Sequence, residues 1–356
     1  MSAPHQNLAG AYLRLAAAFV ALGAGAAAAV TVALLLHETP GPTATGATGV
    51  PAAPTARATR SSTAQATRAI RRRGAPKAIS TAASSAFPAP PPGAIVLARE
   101  AGPNALALAL LPGRARLRLQ ASVVGPDGAG VRKLTVGFRV EGGGRAATAR
   151  GIACGGGCYE TVVSWRGRPS RVLVRIGAGE RPVAFAMPRA WPPPTAERLL
   201  ARAARVWRDL RTLVAHERLA SDPQHVVTTV WRFVAPDRVS YSIDGGSSAV
   251  IIGDRRWDRQ AGGSWRRSPQ QPLPRQPAPL WAAVSDAHVL GIQRIRGHAA
   301  WRVSFFDRRT PAWFTVAIDR ATLRTLELHM VTTAHFMREI YGPFDEPLRI
   351  PPPRAD

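Results

Sequence analysis

The sequence predicts a mainly β protein with an N-terminal transmembrane helix, a stalk and two folded regions. Residues 15 to 36 form an uncharged apolar run. Beyond residue 93 the chain consists of short segments of alternating polarity, interrupted by one amphipathic segment of helical periodicity after residue 195. With 32 Gly and 32 Pro among 356 residues, the composition is typical of turn-rich β structure or linkers.

The apolar run LAAAFVALGAGAAAAVTVALLL, residues 15 to 36, is long enough to cross a bilayer. At ~1.5 Å per residue a helix of this length reaches about 33 Å. Arg14 precedes the run and no Lys or Arg occurs from 37 to 56, so the positive-inside rule places residues 1 to 14 in the cytoplasm. We expect a single-pass protein of the cell membrane with extracytoplasmic C-terminal domains. A cleaved signal peptide is the competing interpretation.

Residues 37 to 93 are mainly Ala, Thr, Ser, Pro and Gly with scattered Arg. Such a composition cannot bury enough apolar surface to offset the entropy lost on ordering. We therefore predict a disordered stalk that gives the folded regions reach from the membrane.

The formal net charge of +25 arises almost entirely from Arg, because Lys77 and Lys133 are the only lysines. A charge of this size is a common signature of nucleic-acid binding. Here Arg is spread along the chain beside abundant Ala, which indicates a compositional bias, so no nucleic-acid partner is expected. A denser basic group lies within residues 68 to 77, where anionic lipid headgroups are the expected partners.

Residues 94 to 190 are predicted to form a small immunoglobulin-like β-sandwich. Predicted strands span 105–111, 114–120, 133–140, 161–165, 171–176 and 182–187. The stretches GPDG, EGGG, CGGG and GAGE between them are turn compositions. Many short strands in about 100 residues are typical of such a sandwich.

Cys154 and Cys158 are the only cysteines, and they bracket three glycines between two predicted strands. In an oxidising compartment such a pair is most simply a disulfide. A thiolate metal site and two free thiols are the alternatives.

Residues 195 to 350 begin with a predicted amphipathic helix, with Thr195 as its N-cap. One apolar face at helical spacing comprises Leu199, Leu200, Ala203, Val206, Trp207, Leu210, Leu213 and Val214. Predicted strands follow at 225–234, 238–243, 248–252, 288–295, 300–306 and 312–318, and a long run extends from 323 to 341. One helix followed by an antiparallel meander predicts a curved sheet wrapped around a helix.

This second region contains the segments AVIIGDRRWDRQAGGSW, HVLGIQRIRGHAAWRVSFFD and PAWFTVAIDRATLRTLELHMVTTAHFMREIYGPF. In these segments it resembles the half-barrel fold of bacterial lipoprotein carriers and related mycobacterial lipoproteins. The form is similar to the extracytoplasmic end of actinobacterial copper-resistance D proteins, in which an immunoglobulin-like domain precedes the half barrel. The region containing ACGGGCYE is similar to that domain. The resemblance spans residues 94 to 350 and implies an α+β half barrel closed by one helix.

The chain departs from these families in two respects. Copper-resistance D proteins carry a bundle of membrane helices, whereas one apolar run precedes the stalk here, so transport by this chain alone is not expected. Lipoprotein-carrier relatives in actinobacteria often have a lipidated cysteine, which is absent near the run. Anchorage is therefore expected to depend on residues 15 to 36.

The resemblance implies a lipid-sized hydrophobic ligand between the sheet and the helix. Aromatic side chains commonly line such pockets, and the candidate ligand-binding residues are Trp231, Trp257, Trp265, Trp281, Trp301 and Trp313. Core packing is the alternative role for these residues, because a buried Trp contributes a large apolar area to any small β domain.

No catalytic signature is present in the sequence. GGSSAV at 245 to 250 is not the G-x-S-x-G nucleophile elbow, no H-E-x-x-H occurs, and no phosphate-binding glycine loop precedes a helix. We therefore predict a non-enzymatic protein without a cofactor, copper being the one metal considered. The functional hypotheses are a carrier of a hydrophobic ligand, a copper-handling accessory protein of the cell envelope, and an envelope interaction module without a small ligand.

The copper hypothesis concerns LELHMVTTAHFMREIYGPF, residues 326 to 344, because imidazole and thioether are copper ligands. On one continuous strand His329 and His335 lie about 20 Å apart, which leaves His335 and Met337 as possible joint ligands. A tight hairpin at Thr332 and Thr333 would instead place Met330 opposite His335 with Met337 on the same side, a donor set suited to copper. However, β-branched residues resist the positive φ of favoured two-residue turns. We therefore predict one long strand from 323 to 341.

Overall fold

The computed structural model describes residues 88 to 354, except residues 178, 223, 271–278, 280, 282, 283 and 285. The predicted transmembrane run at 15 to 36 and nearly all of the predicted stalk lie outside the described residues. Within the described residues, no helix is both long and apolar enough to span a bilayer.

Nine strands make up the first folded region, which we call the sandwich. They are β1 (Ile95–Ala101), β2 (Asn104–Pro112), β3 (Arg116–Val124), β4 (Val136–Gly142), β5 (Arg145–Arg150), β6 (Ile152–Gly155), β7 (Cys158–Ser164), β8 (Arg171–Ile176) and β9 (Val183–Ala186). One antiparallel sheet has the order β1-β2-β3-β7-β6, and the other has the order β5-β4-β8-β9. Strands β1, β5 and β6 have no counterpart among the predicted segments.

The alternating sequence ALALALL explains how β2 serves two interfaces at once. Leu106, Leu108 and Leu110 are completely buried and join the core between the two sheets of the sandwich. Since side chains two apart in a strand point to the same side, the intervening alanines point out of the sandwich. Ala105 and Ala107 belong to a second buried cluster, which is shared with the C-terminal region.

Cys154 and Cys158 form a disulfide across the turn between β6 and β7, with their Cα atoms 5.0 Å apart. This confirms the predicted pairing. The turn is pressed against the loop before β4, because a Cβ placed on Gly130 would lie 2.2 Å from the carbonyl oxygen of Gly156. Only glycine at position 130 permits this approach of two backbones.

Helix α1 (Glu197–Arg208) follows the sandwich, and it is shorter than predicted. Its N-cap is Ala196, which makes no side-chain cap hydrogen bond. Thr195 instead forms a β-bridge with His288, so the prediction of Thr195 as N-cap is wrong. Leu213 and Val214 belong to the next strand, because an apolar residue at every second position fits a half-buried strand as well as a helix.

Eleven strands after the helix form one antiparallel sheet, which we call the large sheet. They are β10 (Thr212–Ala220), β11 (Val226–Val234), β12 (Arg238–Ile243), β13 (Ser248–Ile252), β14 (Arg255–Arg259), β15 (Arg266–Ser268), β16 (His288–Ile295), β17 (His298–Asp307), β18 (Ala312–Asp319), β19 (Thr325–Thr332) and β20 (His335–Phe344). Their spatial order is β15-β14-β13-β12-β11-β10-β20-β19-β18-β17-β16. The first strand thus pairs with the last.

The prediction of one long strand from 323 to 341 is wrong, because β19 and β20 form a hairpin in which Thr332 pairs with His335. The left-handed residue of its turn is Ala334, with φ 50°, so neither threonine needs a positive φ. The Thr332 hydroxyl donates a hydrogen bond to the carbonyl oxygen of Pro311 at 2.6 Å. Tertiary contacts therefore stabilise a turn that local propensity disfavours.

The two faces of the large sheet are covered by different partners. On one, the helix face, Phe305, Phe314 and Leu328 pack in one cluster with Leu200 and Ala203 of α1. On the other, the sandwich face, large apolar side chains pack against the outward-pointing alanines of the sandwich. This second cluster comprises Ala94, Val96, Ala105, Ala107, Ala109, Val124, Ala220, Phe306, Trp313 and Phe336.

Candidate ligand-binding site

The helix face carries an aromatic group where α1 meets the sheet. Trp207, in the last turn of α1, makes edge-on contacts with Trp281 and with Tyr341 of β20, each at 5.1 Å between ring centroids. Trp281 is 1% exposed. These three rings form the contact layer between the helix and the centre of the large sheet.

A second apolar cluster continues along the helix face onto strands β12 and β13. Its buried members are Val239, Tyr241, Ala249 and Ile251. Trp231 and Phe233 of β11 pack against both this cluster and the one beneath α1. Trp231 stacks on Phe233 at 6.3 Å and contacts Tyr241 at 5.0 Å between ring centroids. The helix face thus bears one continuous apolar band from β17 to β13.

Charged groups mark the two ends of this band. At β14, the Arg256 guanidinium donates a hydrogen bond to the Asp258 carboxylate at 2.7 Å and another to the Tyr241 hydroxyl at 3.3 Å. At β17, the Arg320 guanidinium lies 5.5 Å from the centroid of the Trp301 ring. The apolar band is therefore bounded by an ion pair at β14 and by a cation beside β17.

Glu217 and Glu339 lie directly opposite each other on β10 and β20, within the helix face. Burial, together with the charge of Glu339, raises the pKa of Glu217 to about 8, although hydrogen bonds from Trp231 and Thr229 oppose the shift. Burial likewise raises the pKa of Glu339, which accepts a hydrogen bond from the Tyr341 hydroxyl. Near neutral pH the Glu217 carboxyl is therefore mainly protonated, and it offers a hydrogen-bond donor in an apolar setting.

The six predicted tryptophans divide between the faces of the large sheet. Trp231, Trp281 and Trp301 all pack against the cluster beneath α1. Trp313 is 2% exposed and lies in the cluster shared with the sandwich. Trp257 is buried against Ile350, and Trp265 packs on the same cluster.

The hairpin places the predicted copper ligands in an arrangement that one long strand does not allow. Met330 pairs directly with Met337 across β19 and β20, and His335 lies two residues before Met337 on the same face. One ring nitrogen of His335, Nδ1, lies 2.9 Å from the carbonyl oxygen of Thr333. His329 points to the sandwich face, where it contacts Glu327. Among the described residues, no three His, Cys, Asp or Glu side chains are grouped to hold a metal ion.

Comparison with known proteins returns structural neighbours alone. The sequence matches no protein-family model, and no curated protein matches it. LprF from Mycobacterium bovis aligns at TM-score 0.37 and 11% identity, covering 48% of this chain and 100% of that one. The lipoprotein LppX from Mycobacterium tuberculosis aligns at TM-score 0.32 and 10% identity, covering 43% and 98%. A LolA superfamily protein from Nitrosomonas europaea aligns at TM-score 0.22 and 12% identity, covering 45% and 96%.

Two parts of the helix face were not predicted from sequence. Glu217 and Glu339 are brought together only by the pairing of the first and last strands of the large sheet, which no local pattern encodes. The contact of Trp207 with Tyr341 depends on the same pairing, since Tyr341 lies on β20. Glu339 lies in the alternating run from 323 to 341, where an ionisable residue at an inward position is unusual. Glu217 falls outside every predicted strand, so no comparable signal marked it.

Proposed function

We propose that this chain is a membrane-anchored, extracytoplasmic, non-enzymatic binding protein that holds a hydrophobic, lipid-like ligand on the helix face of the large sheet. The observation that carries the proposal is the continuous apolar band from β17 to β13. Its aromatic side chains offer a large apolar contact area, and the protonated Glu217 carboxyl supplies a polar group that would orient a ligand.

The size of the helix supports this proposal. Helix α1 has 12 residues, which gives a length of about 18 Å. The band from β17 to β13 crosses eight neighbouring strands, which at ~4.8 Å apart span about 34 Å. The helix is therefore only about half as long as the band is wide. The cluster on β12 and β13 contains no residue of α1.

Anchorage and domain assignment are parts of the same proposal. The uncharged run at 15 to 36 and the flanking Arg14 support a single-pass membrane anchor. The strand orders β2-β3-β7-β6 and β4-β8-β9 match those of a constant-type immunoglobulin sandwich, which supports an immunoglobulin-like domain over residues 94 to 190.

The test uses the full chain purified in a non-ionic detergent. Organic extraction followed by mass spectrometry should recover co-purified lipid, and an added fluorescent phospholipid analogue should bind saturably. Trp231→Ala should weaken this binding by roughly tenfold or more, because it removes an aromatic anchor from the band. Trp257→Ala is the matched control, since Trp257 lies in a different cluster. Absence of saturable binding, or equal loss in the two folded variants, would overturn the proposal.

Copper handling is the second candidate, and the register of the hairpin favours it. Met330, Met337 and His335 share one face at one end of β19 and β20, and two thioethers with one imidazole form a donor set suited to Cu(I). Titration of the full chain with Cu(I) under reducing conditions should show one saturable site. Met337→Leu should abolish it while Met187→Leu, a buried methionine of the sandwich core, leaves it intact. Equal uptake by the two variants would remove this candidate.

A further inference from the structure

Three sheet edges converge on one cleft between the sandwich and the large sheet. In the described part of the chain, β1 ends the five-stranded sheet, β9 ends the four-stranded sheet and β16 ends the large sheet. Residues 97 to 99, 186 to 189 and 290 to 293 from these three edges line a cavity of about 180 Å³. The cleft therefore exists only because the two folded regions are docked together.

A second cavity of about 270 Å³ adjoins the first. The two share Gln293, Arg302 and Thr315 in their linings. Together they fall within the ~300–1,000 Å³ that ligand pockets commonly occupy. Arg302 stands at the junction of the two.

The first cavity is cationic. Its lining contains Arg99, Arg189 and Arg302, and no Asp or Glu among the described residues. Neither Arg99 nor Arg302 makes an ion pair or a hydrogen bond with any residue that the structure describes. Desolvation and, next, the charge of Arg99 lower the pKa of Arg302, although Glu327 opposes the shift. Both side chains are exposed, so water weakens the repulsion between their guanidinium groups, and a bound anion would relieve what remains.

The carboxylate of the second cavity is already neutralised by neighbours. Glu327 accepts hydrogen bonds from Arg338 at 2.9 Å and from His329. Burial opposes ionisation here, but these two hydrogen bonds lower the pKa of Glu327 to about 2. The Glu327 carboxylate therefore pairs with His329 and Arg338. It forms no ion pair with Arg302 in the described part of the chain.

Apolar side chains form the opposite side of the first cavity. Leu97, Phe185 and Met187 are buried members of the sandwich core. Leu290 of β16 packs against the same core. The cleft thus combines an apolar wall with a cationic rim, which suits an amphiphile better than a simple ion.

A buried hydroxyl, that of Ser304, lies on the same face of the large sheet. Ser304 is 1% exposed, and its Oγ makes no hydrogen bond with any described residue. Ser304 pairs with Thr315, a lining residue of both cavities, and it lies two positions from Arg302 on β17. Ser304 lines neither cavity, so its hydroxyl lies behind the wall of the cleft.

We propose that this cleft binds an amphiphile with a phosphate head group. The head lies between Arg302 and Arg99, because planar guanidinium groups bind phosphate oxygens in pairs. The acyl portion lies against Leu97 and Leu290. The site is separate from the helix face, since Arg302 and Ser304 point to the sandwich face of the large sheet.

The test is native mass spectrometry of the full chain released from a non-ionic detergent. Dihexanoyl phosphatidic acid should bind saturably, whereas dihexanoylglycerol, which lacks phosphate, and inorganic phosphate, which lacks acyl chains, should bind at least about tenfold more weakly. Arg302→Gln should weaken binding of phosphatidic acid by about tenfold. Arg175→Gln is the matched control, because Arg175 is an exposed arginine on β8.

Three outcomes would overturn the proposal. Equal binding of dihexanoylglycerol would show a purely apolar site, and equal binding of inorganic phosphate would show a plain anion site. Equal affinities of Arg302→Gln and Arg175→Gln would place the lipid elsewhere. A lipid held only on the helix face would respond to Trp231→Ala and not to Arg302→Gln, so this proposal and the proposed function fail independently.

Discussion

The two faces of the large sheet handle buried carboxyl groups in opposite ways. On the helix face, Glu217 and Glu339 face each other among apolar and aromatic side chains, and both pKa values are raised. On the sandwich face, Glu327 lies between His329 and Arg338, and its pKa is lowered to about 2. Glu339 and Glu327 sit on the neighbouring strands β20 and β19. The face, and not the strand, therefore decides whether a carboxyl is neutral or charged.

This contrast follows from what covers each face. Helix α1 packs Leu199, Leu200, Ala203, Ala204 and Trp207 against the sheet. None of these side chains carries a positive charge that could stabilise an ionised Glu217. The sandwich face is covered only in part, by small alanines of β1 and β2, and long polar side chains occupy the uncovered part. One face thus keeps its carboxyl groups neutral, and the other pairs its carboxylate with cationic neighbours.

The largest expected effect is on the contact between the sandwich and the large sheet. Trp313→Ala should lower the free energy of unfolding by about 3–5 kcal/mol, because Trp313 is 2% exposed within that contact. Calorimetry should then resolve separate transitions for the sandwich and the large sheet. Phe314→Ala, one residue along and on the helix face, should cost a similar amount without separating them. A single transition in both variants would contradict the assignment of the two faces.

The next effect concerns pH and the helix face. Because the folded protein retains a proton on Glu217 that the unfolded chain releases, stability should fall as pH rises from about 5 to about 8. One such proton gives a slope of about 1.4 kcal/mol per pH unit. Glu217→Gln should reduce the decrease in the free energy of unfolding with pH by the contribution of Glu217. Glu346→Gln, at an exposed position, should leave that decrease unchanged. Urea denaturation across this pH range measures both, and an unchanged slope in Glu217→Gln would contradict the raised pKa.

Much of the strand content could be predicted from sequence, but the turns between strands could not always be. Alternating polarity correctly indicated segments such as 105–111 and 312–318. The hairpin turn after Thr332 was considered and rejected, because its geometry depends on Ala334 in a left-handed conformation and on a hydrogen bond to Pro311. Neither feature is visible in the local sequence.

The two candidate sites depend even more than the hairpin turn does on contacts between segments that are far apart in the sequence. Glu217 meets Glu339 because β10 pairs with β20, and Arg99 approaches Arg302 because the sandwich docks on the large sheet. The composition shows many tryptophans but does not show which face of the sheet each one occupies. Trp231 lies on the helix face and Trp313 on the sandwich face. Alternation within a strand predicts which residues share a face, but the partner that covers the face is decided by the topology.

A smaller effect is expected on the sandwich face. Glu327→Gln should lower stability by about 1–2 kcal/mol near neutral pH, since it weakens two charge-assisted hydrogen bonds whose donors are half exposed. The pKa of Glu327 is lowered to about 2, so its contribution is present above the ordinary range and is lost as pH falls toward that value. The difference between the natural protein and the variant should therefore shrink in acid. A constant difference across pH would show that lost packing, and not lost charge, causes the effect.

The smallest effect should come from an ion pair that neither face buries. Arg118 and Glu160 pair across β3 and β7 with side chains 48% and 36% exposed. Since exposed pairs contribute about 0–1 kcal/mol, Glu160→Gln should change the free energy of unfolding by less than about 1 kcal/mol, and added salt should erase the change. Denaturation of Glu160→Gln and Glu327→Gln at low and high salt compares two carboxylates that each bond an arginine. If Glu160→Gln costs as much as Glu327→Gln, pairing alone and not the buried face sets the energy, and the contrast between the two faces loses its physical basis.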